Sequence, residues 1–328
     1  MTTLAPPERG ARRVPWGSIG RAVLLVGGII VITLLVRNAG PAKVAAVLRD
    51  AWVFFPLLVL CEIAMVTCDV SCVRWQIGPD RGKIPLRSWI WSSTFAYALQ
   101  ILFPAGRPAG EIARASVLGR HVGFPRAVAA SVAYQCSNLY AVAALSISAA
   151  GISWFYMGPL AGTLPKFALL NALIVFCIGT FFSRVLLRST KAADFIAKRF
   201  KLDAASRGDL DVAVKQHDVP RGALFCMMGR IVQWLQYGLC VLAIGGKFGF
   251  VPAAVAHAIQ LCGATIGDLI PNQLGAIEGT YSAFSDVMQL TPERVLALPL
   301  LIRITQISLA TTCLVIASLM GKRKPPAE

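Results

Sequence analysis

The stretch FPAGRPAGEIAR at residues 103–114 interrupts an otherwise apolar chain, and PNQLGAIEG at residues 271–279 interrupts it again. The two stretches share a pattern of prolines and glutamates with a fixed separation of 167 residues. The matched positions are Pro104 and Pro271, Glu111 and Glu278, and Pro125 and Pro292. Prolines and glutamates are rare in apolar sequence, so the repeated spacing indicates an internal duplication.

The composition is that of an integral membrane protein. Of the 328 residues, 56% are hydrophobic and only 15% are charged, and the mean hydropathy is +0.65. Such values lie outside the range of soluble domains. The apolar segments near the length of a membrane-spanning helix are Ala22–Val36, Val53–Cys72, Ala127–Ala150, Phe167–Leu187, Ala223–Gly245 and Leu296–Met320. Two shorter segments, Trp89–Phe103 and Ala253–Ile270, end at the repeated prolines.

The net charge of +16 lies mostly in loops, which indicates membrane orientation and contact with anionic lipid rather than nucleic acid. By the positive-inside rule, the basic N-terminal segment 1–21, the loop 188–221 and the tail 321–328 are cytoplasmic. We therefore expect a multi-pass protein of a bacterial-type cytoplasmic (inner) membrane with both termini inside. Arg37, Lys43 and Arg49 fall in a predicted outer loop, against the rule.

The charge pattern also bears on the two shorter segments. The loop 188–221 stays cytoplasmic if Trp89–Arg120 enters from the cytoplasm and returns. Likewise, Ala253–Gln289 would enter from outside and return. If the second limb of the hairpin instead crosses the membrane fully, the later loops fall on the same sides. The predicted fold is an all-α polytopic membrane protein with about six full transmembrane helices and two opposed re-entrant helical hairpins. Repeats 51–150 and 222–320 would form an inverted repeat inside one membrane domain, 22–320. The alternative is that each hairpin is one interrupted helix and that the offset is a coincidence.

Ionised side chains at membrane depth normally face a protein interior or water and have a partner, so they are candidate functional groups. Glu111 and Glu278 are predicted to line a central cavity from opposite sides. The structural alternative is that each forms a fixed ion pair that holds its hairpin. The accompanying candidates are Pro104, Gly110, Arg114, Pro271, Asn272, Gln273, Gly275 and Arg303. Glu111 and Arg114 are three apart and share a helix face.

Four further ionisable residues are secondary candidates. Glu62 and Asp69, seven residues apart on one helix face, could each partner Arg230 or Arg303. Arg120, together with Arg114, could hold a lipid phosphate near the cytoplasmic face. His257 lies in an apolar segment and is expected to be a core histidine.

Motifs of enzyme chemistry are missing from the sequence. It contains no GxSxG, HExxH or GxxxxGK[ST] motif, and its nine cysteines form no CxxC pair. We expect a protein that is not an enzyme and carries neither a cofactor nor a metal.

The two broken segments resemble the transmembrane domain of the lysylphosphatidylglycerol synthase/flippase family. The resemblance rests on a Pro…Gly-Glu-x-x-Arg segment, a Pro-x-x-Leu-Gly-x-x-Glu segment and a late arginine. These are Pro104, Gly110, Glu111 and Arg114, then Pro271, Leu274, Gly275 and Glu278, then Arg303. Asn272 and Gln273 stand where many members have glycines. Full-length members carry a soluble aminoacyl-transfer domain after the membrane block, whereas this sequence stops at Glu328, so the resemblance implies the translocating part alone. Related stand-alone members are linked to the handling of lipids, including hopanoids.

Together these observations predict a flippase-like protein that moves or sorts an anionic or aminoacylated lipid between leaflets, with the headgroup in a midplane cavity. Two alternatives remain open. One is a transporter of a small cationic or zwitterionic solute. The other is a non-transporting partner that anchors a lipid-synthesis enzyme, for example of hopanoids, through residues 184–221. The sequence leaves lipid identity, energy coupling and oligomeric state open.

Overall fold

The computed structural model describes residues 16–103, 106–188, 218–267, 270 and 273–321. This part of the chain is almost entirely helical and contains no strand. The helices are α1 (Trp16–Ala39), α2 (Pro41–Asp50), α3 (Phe55–Ile77), α4 (Leu86–Leu102), α5 (Gly106–Val122), α6 (Phe124–Ile152), α7 (Leu164–Arg188), α8 (Val219–Ala243), α9 (Phe250–Gly267), α10 (Ala276–Ala283), α11 (Ser285–Met288) and α12 (Pro292–Gly321). Residues Ala51–Phe54 form a 3₁₀ turn between α2 and α3.

Some predicted features fall outside the described residues. They are Pro104, Pro271, Asn272, the N-terminal segment to residue 15, residues 189–217 of the predicted cytoplasmic loop, and residues 322–328.

Five helical segments within the described ranges are long and apolar enough to cross a membrane. They are Pro41–Lys83, Phe124–Met157, Leu164–Arg184, Phe250–Gly267 and Pro292–Met320. The protein is therefore an all-helical, multi-pass membrane protein. The apolar part of α1, Leu25–Ala39, is shorter.

The spanning segments differ from the prediction at three helices, the first being α1, in which Ala22–Val36 was predicted to span but the described apolar part is too short to count among the five. Helix α8 matches the predicted segment Ala223–Gly245 in position, but it is less apolar than the five because it carries Arg230, Gln233 and Gln236. Helix α9 is longer than the limb expected from Ala253, since it already begins at Phe250. Pro252 does not prevent this start, because a proline in the first turn removes an N–H that has no intrahelical acceptor.

Helices α4 and α5 form an antiparallel hairpin. Ser88 near the start of α4 lies beside His121 near the end of α5, with 2.9 Å between Oγ and Nε2. Helices α9 and α10 form a second hairpin, in which Gly263 lies against Ile277 and Thr280. The second limb of this hairpin is short, since α10 ends at Ala283 and only the single turn of α11 follows.

The two hairpins are held by the long helices around them. Helix α3 packs along α8 at the centre of the bundle. Helix α4 packs on α12, whereas α9 packs on α6 and α7. Helix α1 packs against α10 and α12. Each broken segment thus lies against a long helix of the other half of the chain.

Candidate functional site

The first broken segment forms an ion pair within α5. Arg114 donates from Nη1 to both carboxylate oxygens of Glu111, at 2.9 Å and 3.2 Å. The guanidinium also lies over the ring of Tyr134 on α6, with 5.4 Å from Cζ to the ring centre, and within electrostatic range of Asp69 on α3. Residues three apart on a helix are neighbours, so this pair needs no tertiary contact to form.

A glycine next to Glu111 fixes the position of this pair. A Cβ at Gly110 would lie 2.6 Å from the carbonyl oxygen of Ala96 and 3.3 Å from Cβ of Gln100. Both atoms belong to α4, so the two limbs approach more closely here than any side chain would allow. Glu111 is therefore held beside the turn of the hairpin.

The second broken segment forms an ion pair with a distant helix. Arg303 on α12 donates from Nε and Nη2 to Oε1 of Glu278, at 3.1 Å and 2.9 Å. The other oxygen of Glu278 accepts the backbone N–H of Gly275 at 2.9 Å, so the carboxylate also caps the start of α10. The arginine of the second pair therefore comes from α12 and not from the second motif itself. Gln273 donates instead to the carbonyl of Ala264 on the first limb, at 3.3 Å.

Helix α1 covers the turn of the second hairpin. Gly275 has φ = +80°, a conformation that favours glycine, and a Cβ there would lie 3.0 Å from Cα of Gly28. A Cβ at Gly28 would lie 2.4 Å from the carbonyl oxygen of Leu274. Two glycines thus allow α1 to rest directly on the backbone of the turn.

The two ion pairs differ in which partner faces outward. In the first, the Glu111 side chain is 13% exposed and the Arg114 side chain 5%. In the second, Glu278 is 1% exposed and Arg303 20%. The first site therefore presents a carboxylate, whereas the second presents a guanidinium.

A third carboxylate, Glu62 on α3, lies fully buried at a junction of four helices. Its acceptor oxygens receive hydrogen bonds from the Tyr97 hydroxyl of α4 (2.9 Å), the Gln236 amide of α8 (3.0 Å) and the Gln306 amide of α12 (3.4 Å). Gln236 also donates to the carbonyl of Leu58 at 3.1 Å. Among the described residues these donors are all neutral, so the carboxylate is a junction of polar contacts rather than half of an ion pair.

A buried cation, Arg230 on α8, forms a second polar junction. It donates to the amide oxygen of Gln233 at 2.7 Å and to that of Asn138 on α6. Gln233 also lies 3.1 Å from Nε2 of His257 on α9, a fully buried histidine as expected. Tyr237 stacks on His257 with 5.3 Å between ring centres. Helix α8 therefore contributes to both polar junctions, with Gln236 at Glu62 and with Arg230 and Gln233 at Asn138 and His257.

Glu62 and Asp69 were each expected to pair with Arg230 or Arg303. Among the hydrogen bonds of the described residues, this prediction is wrong. Arg303 pairs with Glu278, and Arg230 donates to amide oxygens. The heptad spacing placed Glu62 and Asp69 on one face of α3, but Glu62 meets α4, α8 and α12 while Asp69 lies toward Arg114. Arg120 is exposed and lies over the Trp91 ring at 5.7 Å.

The neutral hydrogen-bond partners of Glu62 and Arg230 are not among the predicted site residues. They are Tyr97, Asn138, Gln233, Gln236 and Gln306. One signal was present: three of them are glutamines inside long apolar helices, and Gln306 follows Arg303 by three residues.

These features define a multi-pass membrane protein with paired carboxylates and arginines at two broken helical segments. The chain belongs to the family of the lysylphosphatidylglycerol synthase transmembrane region, whose model matches residues 19–313. The resemblance seen in the motifs is thus confirmed over nearly the whole chain, and the family indicates a lipid-related function. Neither a curated protein nor a solved structure matches the chain.

Proposed function

We propose that this protein is a lipid translocase that moves an amphipathic lipid, anionic or aminoacylated, between leaflets without chemical change. One observation carries the proposal: each broken segment holds a glutamate against an arginine, beside the turn of a helical hairpin. An ion pair at such a position can exchange its partners for the charges of a headgroup.

An unpaired charge in the interior of the protein is costly. Breaking a buried ion pair by removing one partner costs about 3–5 kcal/mol, because the remaining charge is uncompensated. A headgroup with a phosphate and an ammonium avoids this cost, since the phosphate takes the arginine and the ammonium takes the glutamate. An aminoacylated phospholipid carries both groups. In this proposal the headgroup binds in turn at two sites, which we call stations. They are the pair of Arg114 with Glu111 and the pair of Arg303 with Glu278.

An inverted repeat would place the two stations on opposite sides of the membrane midplane. Support for the duplication comes from the helix bounds: shifted by 167 residues, α3, α4 and α6 would span 222–244, 253–269 and 291–319. Helices α8, α9 and α12 span Val219–Ala243, Phe250–Gly267 and Pro292–Gly321. The reciprocal packing of α4 on α12 and α9 on α6 is what a pseudo-two-fold arrangement predicts.

In the same proposal, the junctions at Glu62 and Arg230 keep the two halves in register. Each links three or more helices through neutral donors and acceptors, so relative movement of the halves must break several hydrogen bonds together. We further propose that the protein lies in a cytoplasmic membrane with both termini inside, and that it is not itself an enzyme.

A transporter of a small cationic or zwitterionic solute is the second candidate. The observation in its favour is the partly exposed carboxylate of Glu111, which could receive an ammonium group from water. An anchoring role through residues 184–221 stays a prediction, because most of that segment lies outside the described residues.

The test is leaflet exchange of labelled lipid in proteoliposomes. We would compare the wild type with Glu111→Gln and Glu278→Gln, using phosphatidylglycerol, an aminoacylated phosphatidylglycerol and phosphatidylcholine, each with a fluorescent acyl chain. We expect protein-dependent exchange of the charged lipids that each substitution reduces at least tenfold, the factor that about 1.4 kcal/mol provides. Asp286→Asn, an exposed acid on α11, is the matched control and should leave exchange unchanged.

Three other outcomes would count against the proposal in different ways. Exchange that is indifferent to both glutamates would contradict the assigned stations. Uptake of a soluble cation or zwitterion without lipid exchange would favour the solute transporter. A protein that exchanges neither, while folded by circular dichroism, would contradict transport and favour the anchoring role.

A further inference from the structure

A shallow groove lies on the surface of the bundle, and neither ion pair contributes a residue to its lining. Its volume is about 320 Å³, and its walls are Leu48 and Arg49 of α2, Trp52 of the 3₁₀ turn, and Leu301 and Ile304 of α12. Apart from Arg49, the lining side chains are hydrophobic. A groove with such apolar walls fits an apolar chain better than a polar ligand.

The mouth of the groove carries an aromatic ring and a cation. Trp52 is 56% exposed and stacks on Phe55, with ring centres 4.4 Å apart. Arg49 has a highly exposed side chain, and its contact with Asp50 at 3.7 Å is longer than a charge-assisted hydrogen bond. Its guanidinium is therefore available to an anion. A tryptophan beside a cation is typical of the level of lipid headgroups.

The same end of the bundle carries cations that the membrane orientation leaves unexplained. Arg37 ends α1, and Lys43 lies on α2 within electrostatic range of Glu293 at the start of α12. Together with Arg49 they are the three cations that the charge rule would place on the other side. A bound anionic headgroup at this end accounts for a cation there, because its negative charge offsets the charge of the side chain.

We propose that this groove, defined by Leu48, Arg49, Trp52, Leu301 and Ile304, binds one anionic phospholipid, with an acyl chain along α12 and the phosphate at Arg49. The site needs binding only and does not depend on translocation. It lies next to Arg303, which belongs to the same turn of α12 but points to Glu278. A lipid in the groove therefore contacts a different face of α12 from the face that carries Arg303 of the second ion pair.

Quenching of tryptophan fluorescence by brominated acyl chains tests the site directly. The protein would be placed in phosphatidylcholine liposomes containing phosphatidylglycerol, with bromine on either the anionic or the zwitterionic lipid. We expect stronger quenching when the anionic lipid is brominated, and Trp52→Phe should remove that excess. Ile304→Phe, which narrows the groove, should reduce quenching of Trp52 by both lipids.

Two charge variants decide whether the groove selects its ligand. Arg49→Gln should lower the preference for the anionic lipid about fivefold, the weight of one cation at an anionic surface. Lys247→Gln removes an equally exposed cation from the loop between α8 and α9, next to the start of α12, and should leave the preference intact. Equal effects of the two variants, or equal quenching by both lipids in the wild type, would show an ordinary lipid-facing surface and overturn the proposal.

Discussion

The two ion pairs use the same residue types but are built differently. Glu111 and Arg114 lie on consecutive turns of one helix, and the carboxylate is partly exposed. Glu278 and Arg303 join α10 to α12, Glu278 also accepts the backbone N–H of Gly275, and α1 covers the adjacent turn. Two similar motifs can thus hold one charge pair by local helix geometry and the other by a contact between helices.

The largest expected difference is in stability. Glu278→Gln should lower the free energy of unfolding by about 3 kcal/mol, because Arg303 loses its counter-charge in a mostly buried position. Glu111→Gln should cost less than that, because Arg114 remains over the ring of Tyr134 and within electrostatic range of Asp69 when Glu111 loses its charge. Unfolding in detergent, followed by circular dichroism against temperature, measures both. Equal losses, or a larger loss at Glu111, would remove the contrast between the pairs.

The cover provided by α1 predicts the next largest effect. Gly28→Leu places side-chain atoms where the backbone of Leu274 lies, so α1 must move away from the turn. We expect faster amide hydrogen exchange in residues 273–281, with the first hairpin unchanged. Gly27→Leu is the matched control, because nothing lies within 4 Å of a Cβ at Gly27. Faster exchange in both variants would mean that α1 is loosely packed along its length and does not specifically cover the turn of the second hairpin.

The smallest effect is expected from exchanging arginine for lysine. Arg303→Lys loses one of two donors to Glu278 and should cost about 1 kcal/mol. Arg114→Lys keeps an i,i+3 pair but loses the planar contact with Tyr134, and about 0.5 kcal/mol is expected. Added salt should reduce the Arg303→Lys difference more than the Arg114→Lys difference, because the Arg303 side chain is 20% exposed and the Arg114 side chain 5%. Urea-dependent unfolding at two salt concentrations measures this, and the opposite salt ranking would contradict the assigned exposure.

The sequence was sufficient for the local features and insufficient for the contacts between helices. The spacing of Pro104, Glu111 and Arg114 predicted both the break and the pair on α5, because neighbours on one helix follow from the helical repeat alone. The resemblance singled out Arg303, but its pairing with Glu278 depends on how α12 packs on α10. No periodicity within either helix encodes that contact.

The buried junctions show the same limit. Glu62 was recognisable as an ionisable residue in an apolar helix, yet its donors come from three other helices. A charge was expected opposite it, whereas neutral amides and a hydroxyl were found. Neutral donors satisfy a carboxylate without adding a second desolvated charge. The sequence does not indicate whether a buried carboxylate will meet a cation or neutral donors.

The contact between Gly28 and Gly275 also constrains how the protein is made. Chains enter the membrane from the N-terminus, so α1 is in place long before the ribosome reaches residue 275. Gly28 therefore has no contact with Leu274 and Gly275 throughout that interval, and Glu278 meets Arg303 only after α12 has followed. A chain arrested between residues 278 and 303 would hold the Glu278 carboxylate in the membrane domain without its counter-charge.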